Sequence, residues 1–236
     1  MTDDMTDDIA SRKQVLRREA LARRRTLSDS ERRQAGRSLA TMAFRNGGDI
    51  FRTGEAFQSD DAFPPDDAFQ SGDAFGTDGV SRSGDAKPIT VAAYVSMGTE
   101  VPMADLLDSL IERNLRVLVP VLGSGRDLGW SVFTGSDRLH DAGPRRPQEP
   151  DGPVLPAEAI AEADLIITAG IMVDRSGIRL GRGGGWYDRM LALKSPEARV
   201  ITVVWPWEFV AGPLPHEPWD QPVDGVLTPA GLTMFR

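Results

Sequence analysis

Apolar positions fall into short runs between polar, glycine-rich and proline-rich breaks, and the runs change character near Lys87. Before that point, residues 11–25 are rich in Ala, Leu, Arg and Glu with no Gly or Pro, which predicts a helix. Thr26-Leu27-Ser28 breaks the pattern, and Ser28 with Glu31 has capping-box spacing. A second helix is therefore predicted over about 29–44, with Ala35, Leu39, Met42 and Ala43 inward. In residues 46–87, Phe51, Phe57, Phe63, Phe69 and Phe75 recur every six residues, the last four in acid-Ala-Phe triplets. Six steps of about 100° scatter a side chain around a helix, and Pro64-Pro65 with many Gly, Ser and Asp opposes a strand. This stretch reads as a low-complexity, disordered insertion.

Beyond Lys87 the pattern is α/β. Ile89–Val95 is a nearly continuous apolar run, as in buried parallel strands. Pro102–Asn114 reads as a helix with Leu106, Leu107, Leu110 and Ile111 inside. Strands are predicted at Arg116–Leu122, Trp130–Phe133, Asp164–Ala169, Arg199–Val204 and Asp224–Leu227. Pro144–Pro156 reads as a loop, Ala157–Ala163 as a helical turn and Gly185–Leu193 as a helix. The fold class is an open, mainly parallel α/β sheet with helices on both faces and a helical N-terminal lead. Ligands of such sheets sit at the carboxyl ends of the strands. Residues 1–236 are read as one α/β domain interrupted at about 46–87.

Composition narrows the chemistry. The 236 residues contain no Cys and two His, which excludes disulfides, thiolate metal sites and a cysteine nucleophile and disfavours a His-rich metal centre. A net charge of −8 argues against nucleic-acid binding, and no apolar run approaches the ~20 residues of a membrane span. The acidic N-terminus is unlike a signal or transit peptide. A cytoplasmic monomer acting on small molecules is expected, with no nucleic-acid or membrane partner; weak partner binding by 46–87 is left open. Charge is segregated: residues 11–37 hold ten basic groups against three acids, and residues 46–87 hold nine acids against three basic groups. One basic face on an acidic protein suits a small polyanion such as a nucleotide, or is a solvated helix face.

The stretch from Val173 to Arg189 carries the strongest signal. Gly181, Gly183, Gly184 and Gly185 let backbone approach an oxygen-rich ligand. Arg179 and Arg182 supply cationic forks for phosphate, and Asp188 suits Mg2+, which takes few carboxylates and keeps phosphate and water. The stretch has neither P-loop nor dinucleotide-fingerprint spacing.

Arg179-Leu180-Gly181-Arg182-Gly183-Gly184-Gly185-Trp186-Tyr187-Asp188-Arg189 resembles the signature loop of the 5-formyltetrahydrofolate cyclo-ligase family. Lys13-Gln14-Val15-Leu16-Arg17, Tyr94 to Val101 and Val223-Asp224-Gly225-Val226-Leu227 resemble its other motifs, in the family's order. The resemblance implies ATP- and Mg2+-dependent cyclisation of 5-formyltetrahydrofolate to 5,10-methenyltetrahydrofolate, by phosphorylation of the formyl oxygen and attack of N10. It implies ATP contacts from Lys13, Arg17, Arg179, Leu180, Gly181, Arg182, Gly183, Gly184, Gly185, Trp186 and Tyr187. Folate contacts would come from Val95, Glu100 and Arg182 to Trp186, catalysis from Arg182, and Mg2+ ligation from Asp188 and Asp224. From the residues alone, Lys13 and Arg17 read equally as surface charges, Glu100 as a helix cap and Asp224 as a turn residue. The chain departs from the family pattern in its insertion, in Trp186 where Tyr or Phe is usual, and in Ala169 where Pro is common. A non-catalytic sensor and a sugar-phosphate isomerase or transferase are the competing readings.

Overall fold

The computed structural model describes residues 2–45, 50, 88–123, 128–144 and 146–235, with only the backbone for 2–7. The phenylalanine repeat lies outside these residues. Ile50 does not: it is 1 % exposed and packs in the main core with Leu39 and Ala43. The stretch read as an insertion from 46 thus takes in one core residue, whose burial its polar neighbours concealed.

Helix α1 spans Thr2–Arg25, longer than predicted, and α2 spans Asp29–Ala43. The capping box between them forms: Ser28 Oγ accepts from the Glu31 N–H at 3.3 Å, and the Glu31 carboxylate accepts from the Ser28 N–H at 2.7 Å. Two otherwise orphaned donors are satisfied, which sets the start of α2.

The central sheet has seven strands: β1 Thr90–Ala92, β2 Arg116–Leu122, β3 Leu128–Val132, β6 Leu165–Ala169, β9 Arg199–Val203, β11 Gly225–Thr228 and β12 Gly231–Met234, in the order β12-β11-β9-β6-β1-β2-β3. The inner five are parallel, and β3 and β12 add antiparallel edges. Alternate residues take opposite faces. Val91, Val117, Val119, Leu165, Ile167, Ile201 and Leu227 join α2 and the helix α3, Ala104–Glu112, on one side. Ala92, Leu118, Ile166, Val200 and Val226 face a 3-10 turn at Ala157–Glu162 and the helix α4, Trp186–Leu191, on the other. Both faces are covered, as the apolar runs predicted.

Three expectations change. The run Ile89–Val95 is paired as strand only to Ala92, because the chain then lifts into a turn at Met97–Glu100, closed by the Glu100 N–H on the Met97 carbonyl at 3.1 Å. Helix α4 is shorter than predicted. Two accessory sheets were not foreseen, β10 (Phe209–Val210) with β7 (Met172–Asp174) and β8 (Arg179–Leu180), and β4 (Leu139–His140) with β5 (Glu149–Pro150). Strands of two or three residues are too short to show a period.

The C-terminal part of α1 is bound into the core by charge. Arg24, 1 % exposed, donates to both oxygens of Glu208 at 2.6 and 2.7 Å and to the Gly170 carbonyl at 2.7 Å. Burial pushes the Glu208 carboxyl up from its ordinary range, against the pull of Arg24.

Candidate functional site

A cavity of about 530 Å³ opens at the carboxyl ends of β1 and β6, where Val95, Ala169 and Gly170 line it. The middle of α1, the end of β2 at Pro120 and Leu122, Pro147, the glycine loop 181–185, the turn at 97–100 and a loop at 217–220 also line it. Its size and place suit a small-molecule site in a parallel sheet.

Helix α1 brings two cations. Lys13 Nζ pairs with the carboxylates of Glu217 and Asp220, the latter at 2.7 Å. Arg17 Nε donates to the Gly181 carbonyl at 2.8 Å, which ties the helix to the glycine loop. Burial lowers the Arg17 guanidinium from its ordinary value and Asp220 opposes this.

The glycine loop is shaped by backbone that other residues resist. Gly183 has φ of 94° and Gly185 φ of 60°, in the left-handed range. A Cβ on Gly183 would also sit 3.3 Å from the Arg17 guanidinium carbon. Gly185 then starts α4, placing Trp186, Tyr187 and Asp188 in its first turn. The two aromatic rings meet edge to face at 5.0 Å. Trp186 also packs against the core under β9 and β11, so it is part wall and part core. Arg179 donates to Asp188 Oδ1 at 2.9 Å and lies 5.1 Å from the centre of the Tyr187 ring, while burial pushes the Tyr187 phenol up.

Opposite these groups stands Glu100. One oxygen accepts from the Met97 N–H at 2.8 Å, and the other faces Arg182 Nη2 at 3.1 Å. Glu100 therefore caps its own turn, while Ser96 serves the Met103 N–H before α3 at 3.2 Å. Arg182 is about half exposed, reaching across the cavity.

All the ATP- and folate-contact residues expected from the sequence line this one space: Lys13, Arg17, Val95, Glu100 and the run from Arg179 to Tyr187, with Asp188 beside them. Asp224 is not among them. It stands where β11 begins, at the amino end of the parallel strands, with its carboxylate on the Val200 N–H at 2.8 Å. Asp224 thus stands apart from Asp188 in this structure, its carboxylate joining β11 to β9. The described residues contain no group of three or more His, Cys, Asp or Glu side chains placed to hold a metal ion. A single carboxylate beside a phosphate-shaped loop nevertheless fits Mg2+, whose other ligands are phosphate and water.

Glu217, Asp220 and Tyr94 also line the cavity and were missed. Glu217 lies 204 positions from the lysine that it pairs with, and a proline-rich loop gives no local sign of it.

The sequence profile of the 5-formyltetrahydrofolate cyclo-ligase family matches residues 81–229. The 5-formyltetrahydrofolate cyclo-ligase of Mycolicibacterium smegmatis is 43% identical over 154 residues, covering 62% of this chain and 77% of that protein. The Escherichia coli K12 protein of the same name is 30% identical over 145 residues, covering 60% and 78%. The NMR structure of Aquifex aeolicus 5,10-methenyltetrahydrofolate synthetase superposes with a TM-score of 0.65 at 22% identity, over 95% of this chain and 93% of that one. The Mycoplasma pneumoniae synthetase gives 0.59 at 16% identity, over 92% and 98%. At these identities the two structures speak for the fold. No helix among the described residues is long and apolar enough to cross a membrane.

Proposed function

The chain belongs to the 5-formyltetrahydrofolate cyclo-ligase family and is a ligase, and from this premise we propose that it uses ATP to close 5-formyltetrahydrofolate into 5,10-methenyltetrahydrofolate. The formyl oxygen attacks the γ-phosphorus, and the bond from that phosphorus to the bridging oxygen breaks to give ADP. N10 then attacks the formyl carbon, loses its proton, and the carbon–oxygen bond breaks to release phosphate. Neither step needs a protein nucleophile. Both need the two substrates aligned and their charge neutralised, which suits a chain without cysteine.

The observation that carries this reading is the meeting of Arg182 with Glu100 at 3.1 Å. It joins a basic, glycine-built wall suited to phosphate to a turn suited to hydrogen-bonding a pterin. In this reading Lys13, Arg17 and Arg179 exchange their protein partners for phosphate oxygens. Arg182 turns to the transferring phosphoryl group, and Glu100 accepts from the pterin. Trp186 and Tyr187 flank the ring systems with flat apolar surface. Mg2+ bound there would neutralise phosphate charge, and Asp188 is the side chain that would hold it. The test is to mix the protein with 5-formyltetrahydrofolate, ATP and Mg2+ and follow the absorbance of the methenyl product. An ATP-dependent rise that is abolished by a chelator is expected; no rise would reject the reading.

A further inference from the structure

Tyr94 has no part in the chemistry above, although its position is unusual. Its ring is 4 % exposed and belongs to the main core, yet the residue also lines the cavity. A buried phenol normally finds a partner for its hydroxyl. Among the described residues no group hydrogen-bonds this one, and the oxygen is not among the buried polar atoms sealed without a partner. The polar end therefore opens on the cavity.

Its surroundings define what it could bind. Glu100 acts on Tyr94 by charge, but its two oxygens already serve the Met97 N–H and Arg182. Burial, then Glu100 and then Tyr187 push the Tyr94 phenol well above its ordinary value, so it stays neutral. A neutral phenol is a hydrogen-bond donor rather than a proton acceptor. The cations for phosphate come from α1 and the glycine loop, whereas Tyr94 adjoins Val95 on the chain leading to Glu100. Among the described residues that line the cavity on that wall, no other carries a hydroxyl.

We infer that Tyr94 is a specificity-determining residue whose hydroxyl donates a hydrogen bond to an uncharged carbonyl-type oxygen of the folate. The inference rests on the functional reading above and extends it to a residue to which the resemblance gives no role. Three oxygens share this chemistry: the formyl oxygen, the pterin carbonyl and the amide carbonyl of the p-aminobenzoyl group.

Tyr94→Phe deletes the hydroxyl and keeps the ring. Equilibrium binding of 5-formyltetrahydrofolate, of tetrahydrofolate and of ATP is measured for the full wild-type and variant chains, each with a thermal melt. One neutral hydrogen bond corresponds to a loss of about three- to tenfold in affinity. The expected result is that loss for 5-formyltetrahydrofolate, with ATP affinity and melting temperature unchanged. Loss for tetrahydrofolate as well assigns the bond to one of the two carbonyls that tetrahydrofolate keeps, and retention of its affinity assigns it to the formyl oxygen. Unchanged folate affinity, weakened ATP binding instead, or a lowered melting temperature would each overturn the inference. Wild-type protein that binds no folate would sink the functional reading itself, a separate result from a variant that matches a binding wild type.

Discussion

The two ends of one helical stripe have opposite fates. Lys13, Arg17, Ala20 and Arg24 are spaced i, i+4, i+7 and i+11 on α1, so they share one face. Arg24 and Lys13 stand roughly 16 Å apart along that face. Ala20 packs between them against Ile171, Leu180 and Leu214. Arg24 is sealed against Glu208, which is 0 % exposed, whereas Lys13 meets its two carboxylates at the cavity wall. Similar charges on one face thus hold the fold at one end and line the site at the other. The solvent that each partner could recover if the pair were broken is what separates them.

Four changes test that contrast, the largest first. Arg24→Ala strands Glu208 in the core and should cost about 3–5 kcal/mol, read from denaturant midpoints. The double change Arg24→Met with Glu208→Leu should recover most of that loss. A single variant as stable as wild type would show that the buried end is not structural. Arg182→Ala should lower turnover by roughly 10³-fold, as for a cation on a transferring phosphoryl group, with an unchanged melt. Turnover near wild type would remove Arg182 from the chemistry. Lys13 is itself largely buried, so Lys13→Ala should also cost stability, but less than Arg24→Ala, since Glu217 and Asp220 face the cavity and regain water. Its KM for ATP should rise about tenfold; a stability loss like that of Arg24→Ala would erase the contrast.

The smallest effect concerns acid, and it lies outside α1. Burial pushes the Asp174 carboxyl up, but hydrogen bonds from the Leu214, Ser176 and Ile178 amides and the Ser176 hydroxyl outweigh it, and the net shift is downward. A carboxylate lowered on folding adds stability above its unfolded value, near 4, and that stability disappears as pH falls through the lower folded value. Asp174→Asn should therefore melt earlier than wild type at neutral pH, and the gap should close in acid. A gap that does not depend on pH would mean that charge is not what Asp174 contributes.

What the sequence disclosed followed what is local in it. Continuous apolar runs marked the strands from Arg116 and Leu165, and Ser28 with Glu31 marked a helix start, because each signal lies within a few residues. The glycine loop and its arginines were readable for the same reason. Arg24 was not, since a basic side chain on a helix looks solvated until its counterion, 184 positions away, is placed beside it. Asp224 was legible only in part: its motif was visible, but its backbone partner on β9 was not. Tyr94 was passed over because an aromatic in an apolar run looks like core, and its ring is core.

Ile50 has a consequence for how this chain can vary. The segment after it leaves from a residue fixed in the core and returns to β1, which is fixed in the sheet by β2 and β6. Substitution at either anchor therefore acts on packing: loss of the Ile50 side chain would leave a void against Leu39 and Ala43.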